Sequence, residues 1–289
     1  MDCDITGLNA VNTVRIKNLN AKISLLERDR EELNAKVGQY RDKLRESHYD
    51  GSNLDRVSLT TMFYKLKGSK QENVKDRAEL LAVWLKYSQA IKDQADAGVL
   101  FSKLEDERMR LLGEKEKSQL ESLQSGRDGA LSIEENLEQI QYRLGELQKA
   151  VVAGREASVC LDTVEEDLLK VEELGEASGG MLSSAVIFEH VHAARAQAGL
   201  AQRLMYSFRY ALAGENWCET DNLTGFADCF LDCLVLDFIP RGLVHQSLAC
   251  VRDAQNILSL IKAGLDTIIE TQREEMCMLR IKKAETKAV

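Results

Sequence analysis

The chain has 289 residues, of which 29% are charged and 6% aromatic, and its net charge is −9. That balance suits charged helical surfaces and long apolar seams better than one thick core, and the negative sign argues against a generic nucleic-acid binder, which needs a basic face. Proline occurs once, at Pro240, and its scarcity permits very long helices because proline breaks helix interiors.

Residues 1–13 read as a frayed start. From Val14 to about Glu46 the apolar residues Ile16, Leu19, Ile23, Leu26, Leu33, Val37, Tyr40 and Leu44 keep alternating three- and four-residue spacing, broken only by Arg30. Such spacing draws one narrow stripe along a helix, and the stripe needs a partner helix. This segment holds nine Lys/Arg against six Asp/Glu, so it is mildly basic. A turn cluster, His48–Asn53, leads to a short predicted helix over Leu54–Leu66. A long helix is then expected from about Glu72 to Leu123, apolar at first through Val74, Ala78, Leu81 and Leu85, then nearly all charge over Glu105–Lys117.

Ser125–Gly129 is the clearest turn. Beyond it, Ile133, Leu137, Ile140, Leu144, Leu147, Val151, Gly154, Ser158, Leu161 and Leu168 form the best heptad. At 1.5 Å per residue, Ile133 to Leu174 would span roughly 60 Å. Residues 131–178 carry twelve acids and four bases. The short turn predicts that 72–123 folds back against 131–174 as an antiparallel hairpin. Gly179–Gly180 marks a helix stop. Leu182–Leu212 is Ala-rich and helical, Leu223–Ile239 is apolar on most sides, and Leu243 to about Lys283 is one last long helix. No run of 18 apolar residues occurs, and Leu223–Ile239 carries three carboxyls, too costly for a simple membrane span.

The carboxylates of that apolar helix are the main candidates for chemistry. Asp228 and Asp232 are four apart and share a face, with Asp237 about 140° round from Asp232. Two carboxylates on an apolar helix repel unless bases, a cation or solvent meet them. They are either a divalent-cation or acid/base site, or a polar stripe that pairs with Lys or Arg of a neighbouring helix or faces water. Cys229 and Cys233 are also four apart. They are candidates for zinc or redox pairing, but a structural zinc site needs four ligands, and cysteine is equally a small core residue. His190 and His192 point to opposite faces of one helix, so they cannot share a metal from it. Phosphate-binding loops, dinucleotide fingerprints, nucleophile elbows and zinc-protease motifs are all missing, so no catalytic residue and no cofactor is expected.

The seven cysteines are odd in number and show no framework spacing. They read as free thiols in a reducing compartment. The first residues lack the basic flank and apolar stretch of a signal peptide, so a cytoplasmic location is expected.

Three stretches, Leu59–Leu85, Gly179–Leu212 and Phe226–Val251, resemble an uncharacterised family of bacterial cytoplasmic coiled-coil proteins of unknown function. The family pattern has a second Phe where Cys229 stands and a Trp where Phe238 stands. The resemblance implies no activity. It implies a recurring core built from the second and third stretches.

The expected fold is all-α, a long antiparallel coiled-coil hairpin attached to a helical bundle. The expected divisions are an N-terminal helix and short helix over 1–70, a hairpin arm over 71–178 and a C-terminal bundle over 179–289. The basic 14–46 helix is expected to pack on the acidic 131–174 helix, on the C-terminal bundle, or on both. The expected function is a non-enzymatic scaffold or adaptor that contacts a protein partner or itself, with no nucleic acid and no transmembrane segment. The alternatives are a divalent-metal-dependent module using Asp228, Asp232 and Asp237, and a peripheral membrane-surface protein.

Overall fold

The structure, a computed structural model, describes residues 4–46, 74–125, 133–177, 181–213, 225–238 and 244–288. The short helix expected over Leu54–Leu66 and the turn clusters at 48–53, 126–129 and 240–242 lie outside these residues. The described residues form six helices and no strand. These are α1 (Asp4–Glu46), α2 (Val74–Ser125), α3 (Ile133–Ala177), α4 (Met181–Ala211), α5 (Phe226–Phe238) and α6 (His245–Ala288). Among the described residues, no helix is long and apolar enough to cross a membrane. Helix α1 begins at Asp4, inside the stretch expected to fray, and Asn12 is fully buried.

The heptad stripe of α1 is its buried face: Ile16, Leu19, Ile23, Leu26, Leu33, Val37, Tyr40 and Leu44 are all 8% exposed or less. Its partner is α2. Ile16 and Leu19 cluster with Leu111, Leu26 and Leu33 with Ala97, and Val37 through Leu44 join the cluster that holds Leu80, Trp84, Leu85 and Tyr87. Contacts rise along α1 as they fall along α2, so the two run antiparallel. The break at Arg30 is accommodated by stacking: its guanidinium lies over the Phe101 ring, 4.5 Å from the centroid.

The arrangement corrects the expected hairpin. Helix α2 pairs with α1, and α3 pairs with α4 and α6. The physical reason lies in α3, which carries two apolar stripes. Leu137, Ile140, Leu144, Leu147, Leu161 and Leu168 form the heptad seen in the sequence, and Ala150, Ala157, Val164 and Val171 form a second line at seven-residue spacing. Both flanks of α3 are therefore occupied. Antiparallel α6 is held by Lys283–Glu134 and Arg252–Glu165, each at 2.7 Å, and by His245–Glu172 at 3.2 Å. Antiparallel α4 brings His190 to Asp167 at 2.9 Å and Phe208 against Gly154.

Helix α1 also touches the acidic α3, where Lys22 bridges to Glu146, and it reaches α4 and α5. One apolar cluster draws on all six helices, with Phe208, Phe230, Leu147, Leu161 and Leu168 among its fully buried members. The three segments expected at 1–70, 71–178 and 179–289 thus share a core. Burial of side chains of this size stabilises by about 1.5–3 kcal/mol each.

Candidate functional site

Helix α5 is short, and its apolar residues turn inward. Phe226 and Phe230, one turn apart, stack with centroids 5.7 Å apart, and Phe226, Phe230, Leu231 and Leu234 are buried. Asp228 and Asp232 stand about 160° round from Phe230 on either side, as their spacing requires. Both meet lysines. Lys36 of α1 donates to Asp228 Oδ2 at 2.6 Å, and Lys86 of α2 donates to Asp232 Oδ2. Burial, then the nearby charges of Asp228 and Asp232, raises the pKa of Tyr40. The pair is thus the polar stripe that meets bases on neighbouring helices, and each carboxylate ties α5 to a different helix. Asp237 belongs to α5, but its side chain lies outside the described residues. Among the described residues, no group of three His, Cys, Asp or Glu side chains is placed to hold a metal ion.

The cysteine pair of α5 gains a third member. Burial raises the pKa of Cys250 of α6, and the nearby Cys229 and Cys233 add to the shift. The Cys250 Sγ lies 4.0 Å from the Phe226 carbonyl oxygen. The sequence placed Cys250 seventeen residues beyond Cys233, across Pro240, and no spacing rule connects them. His190 and His245 bind Asp167 and Glu172, one each, so the histidines form no shared site. His48 lies outside the described residues.

A second polar centre, unmarked by any motif, lies where α1, α2 and α4 meet. Asp29, one residue before the seam break at Arg30, is buried. Arg209 Nη1 donates to its two oxygens at 2.7 and 2.8 Å, and the Tyr210 hydroxyl donates at 2.8 Å. Burial, then the Asp29 charge, raises the pKa of Tyr210. Tyr206 stacks beside it at 6.1 Å. Next to this centre a cleft of about 300 Å³ opens between Leu33, Asp93, Leu100, Arg203 and Tyr206. Asp93 is 7% exposed and accepts a hydrogen bond from Gln89 Nε2 at 2.8 Å. Burial pushes its pKa up to about 6, with Gln89 and Arg203 opposing the shift.

A third set surrounds Glu146 of α3. Burial pushes its pKa up, but hydrogen bonds from Lys149, at 2.6 Å, and Lys22 outweigh burial and hold it below the usual value. Beside it a broader groove of about 780 Å³ runs over α3 between α1 and α6, with Lys17, Asn18, Arg143 and Gln272 in its walls.

These centres share a pattern. Each buried or half-buried carboxylate meets a donor from the chain itself, and each ties one helix to another or fixes a side chain in place. Comparison with family models, curated proteins and solved structures finds no match. The family resemblance therefore rests on the three sequence stretches alone.

Proposed function

We propose that the chain is a non-enzymatic scaffold or adaptor that acts through protein–protein contacts on its long helices. One observation carries this reading. Among the described residues, the second half of α2, from Gly98 to Lys117, is covered mainly by α1, with Leu100 also beside Tyr206 of α4. Phe101, Leu104, Leu111 and Leu112 face α1, while Val99 and Met109, 58% and 63% exposed, stand outward among charged residues. A 52-residue helix with exposed residues between its contacts offers an extended, charge-patterned face. Isolated apolar side chains on such a face are the anchors from which helix-to-helix contacts are built.

The test is light scattering on the full chain over a range of concentrations, with pull-down of partners as the second arm. The expected result is more than one chain per particle, or a specific partner, with either lost in a Val99→Glu, Met109→Glu variant that keeps its helical spectrum. A monomer with no partner, or association that ignores both substitutions, overturns the reading.

A further inference from the structure

The cleft between α2 and α4 carries opposite charges in its interior and at its mouth. Asp93 lines it and is buried, whereas Asp96, Lys103 and Ser207 line it and are exposed. Gln89 Nε2 donates to Asp93 Oδ1 at 2.8 Å, and Oδ2 accepts no hydrogen bond among the described residues. Gln89 is itself held in place. A Cβ on Gly199 of α4 would meet its Oε1 at 2.9 Å, so α4 admits this amide because position 199 carries no side chain. The glutamine thus fixes one carboxylate oxygen and leaves the other unmet, and a buried carboxylate with an unmet oxygen is costly.

Two cations line the same cleft. Arg203 of α4 keeps Nε 3.7 Å from Asp96 Oδ2, beyond hydrogen-bond range, so its N–H groups are not committed to that carboxylate. Lys103 forms no ion pair among the described residues. Leu33, Ala97, Leu100 and Tyr206 supply apolar wall. A simple cation drawn to Asp93 would be repelled by Arg203 and Lys103 as it entered. A simple anion drawn to those two would end near Asp93. A molecule that carries both charges meets both sets of groups. The cleft, about 300 Å³, lies at the small end of ligand sites, which run from about 300 to 1,000 Å³.

We propose that this cleft binds a free aliphatic α-amino acid. Its ammonium donates to Asp93 Oδ2, its carboxylate accepts from Arg203, and its side chain lies on Leu33, Ala97 and Leu100. The bound zwitterion bridges α2 to α4 beside the buried Asp29–Arg209 pair.

Calorimetric titration of the full-length chain at neutral pH tests this with three probes of one shape. These are L-leucine, 3-methylbutylamine, which lacks the carboxylate, and 4-methylpentanoate, which lacks the ammonium. Leucine is expected to bind one site per chain, and each analogue at least about tenfold more weakly, because each leaves a charge of the cleft unmet. Asp93→Asn erases the preference for leucine over 4-methylpentanoate and keeps that over 3-methylbutylamine. Arg203→Gln does the reverse. A general loosening of the fold does not give that crossed pattern. Ser207→Trp, at the exposed mouth, blocks leucine, and it serves if either charge variant loses the helical circular-dichroism spectrum. No saturable binding of leucine at about 10 mM overturns the proposal. So does an analogue that binds as tightly as leucine, or leucine binding that ignores Asp93→Asn or Ser207→Trp.

Discussion

Arg209 reaches across from α4 to hold Asp29 of α1, with one guanidinium nitrogen donating to both carboxylate oxygens at 2.7 and 2.8 Å. Both residues are at most 4% exposed. A buried pair of this kind repays its desolvation only while both members are present. Removing one leaves an uncompensated charge among apolar neighbours. Arg209→Met alone and Asp29→Leu alone are each expected to cost about 3–5 kcal/mol, and the double variant much less than their sum. Urea unfolding of the four proteins checks this. Additive losses would mean that the pair is not coupled.

The position of that pair shows what the sequence displayed and what it hid. The stripe from Ile16 to Leu44 was readable because helix periodicity fixes a buried face whatever the partner is. Its interruption at Arg30 was visible too, but the partner of the neighbouring Asp29 lies 180 residues away at Arg209, and no local rule links the two. The same holds for helix pairing. The turn after α2 pointed to α3 as its neighbour, yet Ala157, Val164 and Val171 gave α3 a second buried stripe that small and β-branched residues kept from standing out. Asp228 and Asp232 were conspicuous because they interrupt an apolar run, whereas Asp93, in a mixed stretch of α2, was not.

Asp93 gives stability a pH dependence whose sign differs from that of most carboxylates. Its folded-state pKa, about 6, lies above the ordinary value of 3.8. The folded chain therefore prefers the protonated form. The associated stability is fully present below about pH 4 and is lost as pH rises through about 6. Asp93→Asn keeps an acceptor for Gln89 and removes the titration. The difference in unfolding free energy between variant and wild type is expected to grow in favour of the variant by about 2–3 kcal/mol from pH 4 to pH 7. Glu146 and Glu165, whose pKa values are lowered, act in the opposite direction at lower pH but cancel in this difference. A difference that stays flat across the range would show Asp93 to titrate as an ordinary surface carboxyl.

Two glycines separate close packing from helix propensity. A Cβ on Gly154 would meet Phe208 Cε2 at 3.0 Å and Cδ2 at 3.2 Å, and Phe208 is fully buried at the contact of α3 with α4. Gly98 has nothing within 4 Å of the same position. Alanine favours a helix interior over glycine by about 1 kcal/mol, whereas overpacking a core costs about 1–3 kcal/mol. Gly98→Ala is expected to raise the melting temperature, and Gly154→Ala to lower it. If both rise, the rings at the α3–α4 contact yield more freely than their burial implies.

The carboxylates of α5 distinguish a helix-tying stripe from a metal site. Lys36 and Asp228 are each about one-third exposed, and Asp232 is half exposed, so solvent screens both bridges. Exposed pairs of this kind contribute about 0–1 kcal/mol. The double variant Asp228→Asn, Asp232→Asn is expected to fold, to lose no more than about 2 kcal/mol in urea, and to respond to a chelator as wild type does. Elemental analysis of both proteins, with melting curves before and after chelation, checks this. Stoichiometric metal in wild type that the double variant lacks, together with a chelator-sensitive melting point, would return Asp228 and Asp232 to the role of ligands. Lys36 and Lys86 would then have to turn away, because a cation between the carboxylates repels the ammonium groups that now meet them.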